Sequence, residues 1–283
     1  MSARICYRGL AGFERVPKHP FDLAACILYS REMTFFRAPA KILKLGPVLA
    51  GLICTLTLAT PFEIKVHDEL IAEEKQSTYE IETNLYQPSA ALKIPSNVFQ
   101  TRLEYAYGIA QNNEVAVNAF FSSYNGVTYV NGGKIGQMYI PTHDEEGFWH
   151  YGVKNEVVYL KDIGGQEQVF YELTPILALQ LARWRFTINP SVDVSLNKSG
   201  GTAFAPTGKI AYGITPQTSI GAEYYSEMSN TTIFFPTAQR MNTAYLVLDT
   251  RFGKSTMNLG VGKGTNLNSD SWVVKFIASI GFD

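Results

Sequence analysis

Cysteine is scarce in this sequence and confined to one end: Cys6, Cys26 and Cys54 are the full complement, and none follows residue 59. A chain starting after that point can form no disulfide, thiol nucleophile or thiolate metal site. Long apolar runs are missing too, since no stretch reaches the 18 residues of a membrane-spanning helix, which excludes a helical membrane bundle. Charge is sparse at 17%, with a formal net of −1. Residues 1–59 carry eight basic and three acidic groups, leaving sixteen basic and 22 acidic groups downstream, a balance that argues against nucleic acid as a partner. The sequence also lacks G-x-S-x-G, H-E-x-x-H, G-x-x-x-x-G-K and G-x-G-x-x-G, so no familiar catalytic or nucleotide-binding motif points to an enzyme, a metal or another cofactor.

What remains is an apolar and aromatic chain, 46% hydrophobic with 16 Tyr and 17 Phe, which must bury a large surface. Arg37, Lys41 and Lys44 precede the apolar stretch Leu45–Ala59, whose Thr57 and Ala59 suit the −3 and −1 positions of a signal-peptidase site. The stretch is shorter than a span of about 30 Å of hydrocarbon requires, and charged residues follow it at once. Counted from Met33, the segment has signal-peptide length. Residues 1–32 are therefore expected to be an upstream extension or a mis-assigned start, residues 33–59 a cleaved signal peptide, and residues 60–75 a periplasmic lead-in.

From residue 76 to the end the pattern has period two. In Arg183–Leu196, Trp184, Phe186, Ile188, Pro190, Val192, Val194 and Leu196 share one face, and Arg183, Arg185, Thr187, Asn189, Ser191, Asp193 and Ser195 the other. Twelve such strands are predicted, over residues 76–86, 99–109, 113–122, 131–140, 148–160, 168–178, 183–196, 204–214, 217–226, 242–252, 255–263 and 271–282. Short links alternate with longer ones such as 87–98, 123–130 and 227–241; the acidic link 141–147 is longer than its class. Long strands, an even number and alternating link length predict an all-β fold, an antiparallel transmembrane β-barrel occupying residues 76–283. A soluble sandwich or lipocalin-like barrel shows the same alternation, but the export signal and the aromatics near strand ends (Trp149, Tyr151, Trp184, Tyr212, Tyr224, Trp272) favour the Gram-negative outer membrane. Ala106–Val117 and Ala211–Ala222 form an internal repeat in which Tyr107, Ile109, Tyr212 and Ile214 are expected to point outward and Gly108 and Gly213 inward.

The last strand, SWVVKFIASIGFD, resembles the final strands of bacterial outer-membrane proteins, which end in an aromatic read by the barrel-assembly machinery; here Asp283 follows Phe282. A closer likeness runs through His67-Asp68-Glu69-Leu70, Tyr129-Val130-Asn131-Gly132, Ile188-Asn189-Pro190, Glu223-Tyr224-Tyr225, Tyr245-Leu246-Val247-Leu248-Asp249 and Trp272-Val273-Val274-Lys275. As a set these resemble an uncharacterised exported proteobacterial outer-membrane β-barrel family, similar to porin-like proteins of the phenol-degradation meta-pathway type. The resemblance implies a barrel in outer-membrane lipid and names no solute.

Charges facing lipid cost about 2 to 4 kcal/mol each near the midplane, so the polar parity is assigned to the lumen. The pore-lining candidates are Glu80, Glu82, Arg102, Glu104, Glu156, Glu172, Arg183, Arg185, Asp193, Lys209, Glu223, Asp249, Arg251 and Lys275, with Glu114, Lys134 and Lys154 on the same parity. Nine acids against eight bases fit either a narrow hydrated path or an ion-paired plug. The expected function is a passive channel or porin-like transporter for small hydrophilic solutes; the alternative is a non-conducting structural or adhesive barrel. A lipid-modifying enzyme is less favoured, because His67, His143 and His150 do not share the lipid face with a serine. The cluster His67, Asp68 and Glu69 reads as a solvated acidic tail rather than a metal site.

Overall fold

In the computed structural model residues 55–283 form one compact unit. The structure describes residues 62, 64–68, 70–89, 97–141, 148–161, 165–197, 201–230, 233–234 and 240–282, all in that unit. The expected extension and signal peptide lie outside these residues. Strand follows strand in antiparallel order: β1 (Ser77–Gln87), β2 (Val98–Ala110), β3 (Asn113–Tyr124), β4 (Val127–Tyr139), β5 (Trp149–Lys161), β6 (Glu167–Leu181), β7 (Trp184–Ser195), β8 (Thr202–Gly213) and β9 (Thr218–Glu227). Two short pieces, β10 (Ser229–Asn230) and β11 (Ile233–Phe234), extend the ladder beside β8, and β12 (Met241–Phe252), β13 (Ser255–Gly264) and β14 (Trp272–Phe282) complete the set.

Each long strand pairs with its neighbour in sequence, β9 with β12 across the small hairpin, and β14 with β1, so the twelve long strands close into an antiparallel barrel. Period two then sorts side chains by face. In β14, Val273, Lys275 and Ile277 are buried, while Val274 and Ile280 are exposed. Outside, the wall is an apolar belt: Leu246 is 73% exposed, Val261 63% and Ile135 60%, a pattern that lipid, not water, stabilises. Aromatics gather at one rim, where Tyr79 lies 5.0 Å from Tyr105 and 5.5 Å from Phe282, and Trp184 lies 4.9 Å from Tyr212.

One link departs from the expected alternation. Residues 123–130 do not form a long loop: β3 and β4 join through Asn125-Gly126, whose φ values of 50° and 76° are those of a two-residue type I′ hairpin. A bulge hides the strand from a period-two reading, because Phe120 pairs with Gly132 but Phe121 with Val130, leaving Asn131 extra. The β6–β7 ladder is interrupted between Leu173↔Val192 and Leu177↔Ile188, a stretch holding Pro175 and Pro190, which have no N–H to give.

Candidate functional site

The lumen is the candidate site, and its filling begins with the segment before β1. Residues 60–75 are expected as a periplasmic lead-in; the described ones run through the bore. Phe62 stacks on Phe120 at 5.0 Å and packs with Val158, Leu160 and Phe170, near the rim of the long links. Further along, the Ile64 carbonyl accepts from the Tyr225 hydroxyl at 2.7 Å and from Lys275 Nζ at 2.6 Å. Lys65 pairs with Glu80 at 2.7 Å. His67 is held at its backbone by the Asn189 amide, which accepts from the His67 N–H at 2.8 Å and donates to its carbonyl at 3.0 Å. The Ala72 N–H donates to Glu114, and Ile71 packs against Met138, Ile140 and Ile176 near the opposite rim. There the chain crosses Gly108 so closely that a Cβ would lie 2.0 Å from the Glu73 carbonyl oxygen. The Lys75 backbone N–H donates to the Gly108 carbonyl at 2.8 Å before β1 begins. A bore lined by inward-facing donors and acceptors thus satisfies the backbone of an extended peptide whose one bridge to the sheet, among the described residues, is the Glu74–Gly108 pairing.

Among the described residues, buried ion-pair groups facing the bore gather around Arg102, Glu156 and Glu223. Arg102, 1% exposed, pairs with Glu80 at 3.1 Å, with Glu82, and with Glu104 at 3.8 Å. Glu156 takes Lys134 at 2.7 Å and Lys154 at 3.0 Å. Glu223 takes Lys275 and, at 3.2 Å, Lys209, which also reaches Asp249 at 2.8 Å. Lys275 Nζ stands 5.4 and 5.1 Å from the Tyr225 and Tyr245 ring centroids. Burial makes each group costly to leave incomplete: removing one partner strands a charge in a low-dielectric interior.

Of the residues read from the sequence, Glu80, Glu82, Arg102, Glu156, Glu172, Asp193, Glu223 and Lys275 are buried in the bore, with Glu104, Lys209 and Asp249 partly so. Arg183 is not in a strand: it occupies the exposed turn Ala182-Arg183 between β6 and β7, where Ala182 takes φ 53°. Arg185 is half-buried and attracts Asp68 of the inner segment; Arg251 is exposed at the end of β12. His67 is not in a solvated tail but buried, its Nε2 3.0 Å from Lys154 Nζ. His150 is buried and His143 lies outside the described residues. Among the described residues no group of His, Cys, Asp or Glu converges as a metal site. No described helix is long and apolar enough to cross a membrane.

Sequence reasoning missed the inner segment and the apolar part of the lumen. The alternation Phe62, Ile64, Val66 against Glu63, Lys65, His67 was a signal for an extended piece with two environments. Between the inner segment and the wall a cavity of about 160 Å³ remains, bordered by β1, β6–β9, β12 and the β13–β14 link.

No family model and no curated protein matches the chain. Among solved structures, the chain is similar to an outer-membrane channel from Pseudomonas putida F1, at 11% identity with a TM-score of 0.58, over 78% of this chain and all of that one. The KdgM porin is similar at 10% identity and a TM-score of 0.50, over 74% of this chain and 99% of that one. At such identities the likeness is one of fold, and it places the chain among closed, antiparallel porin-like barrels of the outer-membrane type.

Proposed function

We propose that the protein is a passive channel for small hydrophilic solutes in a Gram-negative outer membrane, its bore narrowed by its own N-terminal segment. The observation that carries this reading is the reversal of polarity across one wall: an apolar belt outside, and inside a bore of carboxylates, ammonium groups and amides that still encloses open volume. The two similar structures, an outer-membrane channel and a porin, agree with it. So does the resemblance of the sequence to porin-like proteins of the phenol-degradation meta-pathway type.

Export fits the same reading. Cleavage after Ala59 would leave Thr60 two residues ahead of Phe62, which packs with Phe120, Val158, Leu160 and Phe170. The outward Phe282 at the end of β14 is the feature the barrel-assembly machinery would engage. The density of buried ion pairs supports the second reading, a non-conducting barrel, because paired charges offer a passing ion no vacant partner. Planar-bilayer conductance of the refolded mature protein in potassium chloride decides between them: resolved single-channel steps are expected, and their absence across preparations that insert into lipid refutes the channel.

A further inference from the structure

The charged side chains that border the cavity beside the inner segment all have partners. Lys65 pairs with Glu80, and the His67 ring meets Lys154. Glu172 accepts from the Thr174 hydroxyl at 3.0 Å, the Asp270 carboxyl accepts from the Ser89 backbone, and Asp193 and Glu227 are likewise engaged within the protein. A charged solute entering here would give up its hydration and find its counter-charge already taken, and displacing a partner would strand that partner's own charge.

What the wall leaves open is uncharged. Asn84 of β1, Gln100 of β2 and Ser122 of β3 stand directly opposite one another across the ladder, and none of the three is more than 4% exposed. The side-chain carbonyls of Asn84 and Gln100 and the hydroxyl of Ser122 have no hydrogen-bond partner within the protein. A buried amide oxygen in that state calls for a donor, and here three such groups form one row. Asn84 borders the cavity, so the row leads from it along the wall.

Hydroxyl groups match this row. Each donates to a carbonyl and accepts from an amide or a serine, whereas a solute with acceptors alone would leave both carbonyls unmet. Tyr86, Tyr225 and Tyr245 line the same cavity and offer an apolar surface to a carbon skeleton. Residues directly opposite across strands have their Cβ atoms about 5 Å apart, a span that a chain of three or four carbons covers.

We propose that this cavity and the row beside it bind a small uncharged polyol, with hydroxyls at Asn84 and Gln100 and its carbons against the tyrosines. A volume of about 160 Å³ suits a polyol of three or four carbons, since a cavity of about 150 Å³ accommodates benzene. The site deepens the channel reading by giving it a solute class, and it rests on that reading for transport, not for binding.

The test is saturation-transfer NMR of erythritol with the refolded mature protein in deuterated detergent micelles, with sodium acetate and ethylammonium chloride as charged controls of small size. A response that saturates with erythritol concentration is expected, with none from either ion. Asn84→Leu and Gln100→Leu, which leave every ion pair in place, should each weaken binding at least fivefold. Absence of a saturable erythritol response in the parent overturns the proposal and leaves the row a water-binding wall. Equal affinity in the parent and in a folded Asn84→Leu or Gln100→Leu variant overturns it too, as does equal binding of either ion. Because this measurement needs no current, a barrel that binds erythritol without conducting refutes the channel alone, and one that conducts potassium chloride without binding erythritol refutes this site alone.

Discussion

Asn189→Ala is the sharpest perturbation of the inner segment. Asn189 is buried on β7, and its amide grips both backbone groups of His67, at 2.8 and 3.0 Å. Truncation leaves an N–H and a carbonyl without those partners, at about 1 to 3 kcal/mol each, or roughly 2 to 6 together. The neighbouring cavity, which both residues border, admits water to the vacated position and holds the cost near the lower end, about 2 kcal/mol. The Lys65–Glu80 pair, the bonds to the Ile64 carbonyl and the Ala72–Glu114 bond persist, so the segment should loosen locally without leaving the bore. Local opening in the parent is governed by its free energy, and 2 kcal/mol corresponds to about a 30-fold gain in open population. Hydrogen exchange measured by mass spectrometry in micelles should show the peptide spanning residues 62–76 exchanging about that much faster, with peptides from β14 unchanged. Unaltered exchange of residues 62–76 in a folded variant would refute the bonding role assigned to Asn189.

Gly108→Ala should displace the same segment at its other end, because the new Cβ would meet the Glu73 backbone oxygen at 2.0 Å; faster exchange confined to residues 70–76 is the expected readout. Leu246→Arg, on the outer face of β12, should lower folding stability in lipid by about 2 to 4 kcal/mol in refolding titrations, whereas Leu246→Ala should be mild. Arg102→Met leaves Glu80 and Glu82 buried without their guanidinium and should cost about 3 to 5 kcal/mol by the same assay. Burial lifts the Asp270 carboxyl from 3.8 to about 6, against a lowering hydrogen bond from the Ser89 backbone. The folded state therefore holds a proton that the unfolded chain releases, so this group's contribution to stability falls as pH rises from about 4 to about 6. Asp270→Asn should remove that dependence, gaining at most about 3 kcal/mol above pH 6 and nothing below pH 4 in urea titrations.

Alternation alone carried most of the wall. Charge on the lipid face is so unfavourable that the polar parity of β1, β2, β5 and β14 turns inward, and Glu80, Arg102, Glu156 and Lys275 of that parity are buried in the bore. Period two failed where the backbone itself breaks step. The bulge at Asn131 shifts the register, so Val127–Val130 read as loop although Asn125-Gly126 is a hairpin turn in plain view. Arg183 followed the alternation of β7 on paper but belongs to the turn that starts it. The lumen's contents were decided only by tertiary structure. Parity says that a side chain points inward without saying what it meets there, and Arg102 could have faced water as well as Glu80 and Glu82. The inner segment shows the same limit: beyond the local bonds Leu70 to Asp68 and Gln76 to Glu73, its backbone groups are met by Asn189, Tyr225, Lys275 and Glu114, from as far as 211 positions away. Local pattern fixes which face a strand turns to lipid, because that choice is made residue by residue. What fills the barrel depends on closure, which brings β1 against β14 and makes an interior for the preceding peptide to occupy.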